Sequence, residues 1–382
     1  MIWGALFIPV IAAAVLYFKF NRFVTWWELL IPLAASVLVI SAFKFGIEHT
    51  QCMDTEYWTG YGQYAEYYEP WDEEVSCRHP ITDNKGNITG YQHIYDVDYH
   101  PACWYVHSNA DGDLSVSKSE FERLAIRWKN RKYEHVNRFV TYHSKRGQKY
   151  VAHWDGDEKT MEICTTTHHY QNRILASESV FGFAPVSKED KTTYSLADYP
   201  PTKSYFDVPS ILGDGGPTTA QANNKLCKIN AKLGKEKQVR IWIVNFIDQP
   251  LEAGIAQMNY WAGGNKNELI LCIGTDAEHK VQWGHVFSWT EVEELKINCR
   301  NAITDQEGKA LDLNKLIEEV TPKVQEQWKR KHFKDFNYLS VEPPWWAVLL
   351  TYLTTAGVNV GVCIWAVKAQ LGDNHRVSFR RF

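Results

Sequence analysis

Uncharged stretches at the two ends of the chain limit what it can become more than any other feature. Ile2 to Phe18 holds no charged residue, Phe23 to Phe43 is interrupted only by Glu28, and Trp345 to Val367 holds none. At about 1.5 Å per helical residue, runs of this length can cross a hydrocarbon layer roughly 30 Å thick. The expectation is three transmembrane helices: an N-terminal helical hairpin within residues 1–45 and a C-terminal transmembrane helix at 345–367. Mean hydropathy is nonetheless negative, because the charged residues lie between these ends. The first run has no positive n-region and no small-residue cleavage pattern after it, so a retained hairpin is expected rather than a cleaved leader.

Lysines and arginines set the expected orientation. Lys19 and Arg22 fall between the first two runs, while Lys368, Arg376, Arg380 and Arg381 follow the third. Placing them in the cytoplasm sends the middle of the chain outside, with Lys44 as the one nearby residue against it. The expectation is an integral membrane protein with extracytoplasmic main domains and a basic cytoplasmic tail at 368–382. Tryptophans 26, 27, 345, 346 and 365 suit an interfacial belt. Within the third run, Asn359 and the pair Gly357 and Gly361 point to close helix packing, on the hairpin or on a second copy of the chain. Glu28 lies near the cytoplasmic end without a second carboxylate, which favours anchoring over ion transport.

Residues 46–212 are aromatic and β-rich. "EYWTGYGQYAEYYEPW" and "TGYQHIYDVDYHPACWYV" show period-two stretches, "TDNKGN" makes a hairpin turn, and "HWDGDEKTMEICTTTHH" reads strand, turn, strand. "HSNADGDLSVSKSEF" resembles a calcium loop, but His107 stands where the first carboxylate belongs and Lys118 where the closing glutamate belongs. A tight Asp111-Gly112 turn, a short strand and a Ser117/Glu120 capping box fit it better, opening a helix with Phe121, Leu124, Ala125 and Trp128 on one face. A twisted antiparallel sheet covered by that helix is expected. His93, His100 and His107 recur every seven residues, which alternates faces on a strand, so no metal site is expected from them. The aromatic surface could stack sugars; the formal net charge of −4 and the lack of a basic stripe argue against nucleic acid.

"ILGDGGP", residues 211–217, reads as a linker, since it lacks the lysine of a phosphate loop. Beyond it, residues 213–340 alternate helix and strand: a helix between Thr218 and Gly234, the strand "QVRIWIVNF", a helix, the strand "NELILCIG", the shorter strand "KVQWGHVFSW", then helices over Thr290–Ile303 and from Leu313 to about Phe336. Near-continuous apolar strands between helices imply an α/β sheet covered on both faces. The fold class expected for the whole is therefore α+β and membrane-anchored.

The order helix, "VRIWIVNF", "YWAGGNKN", "ELILCIG", "TDAEHKVQWG", helices and a membrane span resembles the TPM domain, the family of the thylakoid lumen and photosystem-repair proteins, over Thr218 to about Phe336. The resemblance implies an α/β domain beside a membrane span, and in some members phosphatase activity or metal binding. Where the family carries a further glycine-rich stretch, this chain has "HVFSWTEVEEL". "DTEYWTGY", "YYEPW" and "SILGDGG" resemble uncharacterised membrane proteins of bacterial and phage genomes, which implies a source and no function; a phage-encoded modifier of the host envelope stands as a second alternative role.

Of eight cysteines, Cys77 and Cys103 flank the "TDNKGN" hairpin and are the expected disulfide, with Cys52 as competing partner; Cys272 reads as core. No C-x-x-C, G-x-S-x-G or H-E-x-x-H occurs. Asp276 and Glu278, in a turn between two strands, are the weak candidates to hold a divalent ion or a phosphate-bearing ligand; a solvated turn is the favoured reading. No cofactor is expected. The leading functional expectation is a non-enzymatic, membrane-anchored accessory module that contacts another membrane or envelope protein. The alternative is a TPM-type phosphohydrolase at the outer membrane face.

Overall fold

A computed structural model describes residues 2–20, 26–129, 131–134, 149–177 and 181–368. Arg22 and the basic tail from residue 369 lie outside the described residues, as do the side chains of Trp27 and Glu28. The chain is mixed α+β and packs as two units: Met1–Asp54 with His169–Gly182 and Phe333–Phe382, and Thr55–His168 with Phe183–His332.

The first unit is helical. A 3-10 turn, Ile2–Leu6, leads into α1, Phe7–Phe20; α2 is Trp26–Cys52, and a C-terminal helix spans Trp345–Lys368. Two stretches, Leu29–Cys52 and Trp345–Trp365, are long and apolar enough to cross a bilayer, and Ile2–Ala14 is a shorter apolar helix. Asn359 joins the two long helices: its Nδ2 donates to Ser36 Oγ at 2.8 Å and to Thr355 O at 2.7 Å, with all three residues buried. Gly357 and Gly361 are exposed, and a Cβ on either would meet no atom within 4 Å. Close approach occurs instead at Gly4, where an added Cβ would collide with the Tyr352 hydroxyl.

The second unit begins with β1, Met53–Tyr68, whose first residues belong to the helical unit. Next come the ribbon strands β2, Trp71–Thr82, and β3, Ile88–His100, then β4, Cys103–Ser108, β5, Gly112–Ser115, and α3, Lys118–Trp128. β6 (Arg131–Glu134), β7 (Lys149–His153) and β8 (Ile163–Gln171) complete this half. One sheet runs β5-β4-β1-β7-β6 with β8 also on β1, while β2 and β3, among the described residues, pair only with each other. The expected capping box is present: the Glu120 amide donates to Ser117 Oγ at 3.3 Å, and the Ser117 amide to Glu120 Oε2 at 2.7 Å. Gly112 makes the β4–β5 turn at φ +69°, and α3 buries Phe121, Leu124, Ala125 and Trp128 against Ala65, Val106 and Ala152 of the sheet.

The other half contains α4 (Lys188–Thr193), β9 (Ile211–Leu212), α5 (Thr219–Lys237), β10 (Arg240–Ile247) and α6 (Leu251–Tyr260). It continues with β11 (Glu268–Thr275), β12 (Val281–Ser288), α7 (Glu293–Thr304) and α8 (Leu313–Gln327). Its sheet is ordered β12-β11-β10-β9, with β9, β10 and β11 parallel and β12 antiparallel. Side chains on β10 and β11 alternate between two cores. Ile241, Ile243, Leu269, Leu271 and Ile273 face residues of α5, α7 and α8, whereas Trp242, Val244, Ile270 and Cys272 face Ala253 of α6, Tyr57 and Leu196. The sheet is thus buried on both faces, as its continuous apolar strands imply.

Three expectations need correction. Cys77 and Cys103 are free thiols, as are the other cysteines; Cys77 sits opposite Ile94 in the ribbon while Cys103 sits opposite Tyr68 in the larger sheet. "ILGDGGP" is wired into the sheet rather than free as a linker: Ile211 and Leu212 pair with β10, and Gly213, at φ +83°, lies against the Asn245 carbonyl where no Cβ fits. Gly234 does not stop α5, which continues to Lys237; it lies where the helix meets the Thr59 carbonyl of β1.

Candidate functional site

Cross-strand pairing builds the β2–β3 ribbon from twelve partnered positions between Trp71↔His100 and Thr82↔Ile88. Its turn is made by Asp83, whose Oδ1 accepts from the amides of Lys85 (2.8 Å) and Asn87 (2.9 Å), with Gly86 at φ +83°. Those bonds, the Asn87 amide foremost, hold the Asp83 carboxyl below its usual range. At the base, Trp71 is buried and stacks on His100 at 4.5 Å, and His100 Nε2 lies 2.8 Å from Glu73 Oε2. Beyond that base nearly every residue of β3 is exposed.

Period two sorts the ribbon into two faces. Tyr91, Tyr95, Val97 and Tyr99 share one of them, opposite Pro80, Ser76, Glu74 and Asp72 in turn. Tyr95 is 71% exposed and Tyr99 66%. At about 3.4 Å per residue the tyrosine row is about 27 Å long. The base half is acidic, with Asp72 and Glu74 on the tyrosine face and Glu73, Asp96 and Asp98 on the other. Such a face can offer rings, hydroxyl donors and carboxylates to a partner, and its outer strand edges can accept another strand.

Other chemistry-bearing residues are committed within the fold. Asp276 Oδ1 accepts the amides of Glu278 (3.0 Å) and Lys280 (2.8 Å), and its Oδ2 takes Gln282 Nε2 at 3.1 Å. Glu278 is exposed and pairs with Lys280 at 3.2 Å. The two carboxylates are thus engaged separately. Among the described residues no three His, Cys, Asp or Glu side chains gather as a metal site. His93 lies on the ribbon, His100 at its base, and His107 in the main sheet; His168 stacks on Trp58 with Nε2 2.9 Å from Asp111 Oδ1.

Two buried networks escaped the sequence reading. His107 sits between carboxylates, Nε2 2.7 Å from Glu66 and Nδ1 2.5 Å from Asp113, while Lys149 Nζ reaches Glu66 at 2.8 Å and Tyr68 Oη donates to it at 3.0 Å. Burial works against the charge of Glu66, but the hydrogen bonds from His107 and Lys149 together outweigh it and bring the carboxyl down to about 2. Both His107 nitrogens are occupied, so the cluster fastens β1, β4, β5 and β7 and leaves no free base. Arg240, fully buried, pins the two halves of the second unit. It reaches Thr59 Oγ1 of β1, Asp207 at 3.1 Å, Val208 O at 2.9 Å and Ser210 Oγ at 3.0 Å, and lies 4.4 Å over the Trp242 ring. Arg240 is the one charged residue in the largely apolar stretch "QVRIWIVNF", and that is the sequence signal for the pin.

No family model matches the chain, no curated protein matches it, and no solved structure matches it.

Proposed function

We propose that this chain is a membrane-anchored binding module that contacts a partner protein at the outer membrane surface through the β2–β3 ribbon. The carrying observation is the exposed row of Tyr91, Tyr95, Val97 and Tyr99 on a ribbon that, among the described residues, pairs with no other strand. A two-stranded hairpin is marginal in water, and exposed aromatic rows gain more from burial in an interface than from solvent. Tyrosine suits this role because it brings large area at small entropic cost, with a hydroxyl for the wet rim.

In this reading three helices form the anchor. The 14 residues of α1 rise about 21 Å and the preceding 5-residue 3-10 turn about 10 Å, which matches a hydrocarbon layer roughly 30 Å thick. Basic residues Lys19, Arg22 and Lys368 put the opposite helix ends in the cytoplasm. A phosphohydrolase of the TPM type would need free carboxylates at Asp276 and Glu278, which the turn and Lys280 engage.

Placing a photo-crosslinking residue at Tyr95 in the full chain, in native membranes, tests the ribbon. A discrete crosslinked protein band is expected, lost when Tyr91 and Tyr99 are changed to Ser while the melting temperature holds. Crosslinks to lipid only, or a band indifferent to those changes, would overturn the ribbon as the contact surface.

A further inference from the structure

The helical unit contains a cavity of about 380 Å³, large enough for a headgroup-sized ligand. Besides Arg173, three parts of the chain line it: Ile2 and Trp3 at the start of the first helical segment, Lys44, Ile47 and Glu48 near the end of α2, and Asn337 to Pro343 just before the C-terminal helix. In a three-helix anchor these are the ends that share the outer side of the bilayer. The cavity therefore lies at headgroup level, an inference that rests on the membrane reading proposed above.

Its charged lining is built around Arg173. The Nη2 atom lies 3.1 Å from Glu48 Oε2, and Nη1 donates to the Leu339 carbonyl at 3.3 Å. Its Nε is buried without a hydrogen-bond partner among the described residues. Lys44 Nζ stands 3.8 Å from the other oxygen of Glu48, and its side chain is half exposed. One carboxylate thus serves two cations, Lys44 and Arg173, so this side of the cavity is positive, which suits a phosphate oxygen. A second carboxylate, Glu342, lines the same cavity and is exposed, with its amide held by the Ala176 carbonyl at 3.3 Å. Trp3 and Tyr338 add exposed rings able to face a cation. Among the described residues the charged lining is Lys44, Arg173, Glu48 and Glu342, a balanced set matching a ligand with one phosphate and one ammonium.

We propose that this cavity binds the headgroup of a zwitterionic phospholipid bearing a primary ammonium, with phosphate toward Arg173 and Lys44 and ammonium toward Glu342. A primary ammonium donates hydrogen bonds to a carboxylate, which a trimethylated one cannot do. A purely anionic headgroup would leave Glu342 unmatched.

The test uses the full chain reconstituted into vesicles of phosphatidylcholine alone, with phosphatidylethanolamine, or with phosphatidylglycerol. Flotation with all three is expected; failure to float would remove the membrane reading and the site with it. Lipid retained after transfer to detergent is then measured by native mass spectrometry. Selective retention of phosphatidylethanolamine is expected, reduced about tenfold in Arg173→Gln, as when a charge-assisted hydrogen bond is lost. Because Arg173 also supports the fold, exposed Glu342→Gln is the second variant: it should erase the preference for ethanolamine over choline while flotation and melting stay as in the parent. Flotation without headgroup preference, or preference unchanged by Glu342→Gln, overturns the site and leaves the anchor standing. Free phosphoethanolamine or inorganic phosphate, added in detergent, separates sources: displacement of the lipid only at concentrations far above the lipid's supports a lipid site, and equal competition overturns it.

Discussion

Glu66 concentrates what a single residue contributes here. It is nearly buried in β1, yet its carboxyl titrates at about 2 against an ordinary 4.5, because His107 and Lys149 bond to the ionised form. A carboxylate with a depressed folded pKa stabilises the fold above its unfolded value and loses that contribution as pH falls through the folded one. Unfolding free energy should therefore drop between about pH 4.5 and about pH 2 in denaturant melts of the purified protein. Glu66→Gln should cost roughly 1–3 kcal/mol at neutral pH, the usual penalty for stripping a partner from buried polar groups. It should also flatten the acid slope; an unchanged slope would mean other carboxylates carry it. None of this was legible beforehand, because Glu66 and His107 lie 41 positions apart and meet only through the register of β1 with β4.

At the scale of elements, local signals were read where one segment contained them. The Ser117 capping box, the Gly112 turn and the buried strands "VRIWIVNF" and "ELILCIG" depend on neighbours within a few positions, and each is found in place. Signals failed where a distant element decided. Gly234 has the look of a helix stop, but α5 passes through it because only glycine lets the helix approach Thr59 of β1. That reading makes a prediction of definite sign. In an unobstructed helix Gly→Ala stabilises by about 0.5–1 kcal/mol. Gly234→Ala would drive a Cβ into the Thr59 carbonyl, so it should destabilise by about 1–3 kcal/mol in equilibrium unfolding. A stabilised variant would show that α5 and β1 do not meet at this point. The ribbon belongs to the same class of failure: alternation marked its strands and its turn, while its separation from the larger sheet depends on which strands pair with β1.

For the whole molecule, connectivity alone limits topology. Both long apolar helices flank the segment between Cys52 and Trp345, so if each crosses the bilayer that segment lies entirely on one side of it. In the orientation proposed above, Lys19 at the end of α1 and Lys368 at the end of the C-terminal helix put the other side in the cytoplasm. The first apolar segment leaves a further choice. If it spans, the N-terminus shares the outer side with the ribbon; if it lies in the interface, the N-terminus stays on the side where α2 begins, opposite the ribbon. Protease applied to sealed spheroplasts of a strain carrying tags at both ends distinguishes these cases. Cleavage within residues 53–344, loss of an N-terminal tag and survival of a C-terminal tag are the expected outcome. A protected N-terminal tag with a digested middle would reduce the anchor to two spans, and it would move Trp3 away from the cavity's outer rim. A protected middle with a digested C-terminal tag would reverse the orientation, and the tyrosine ribbon would then have to find its partner in the cytoplasm.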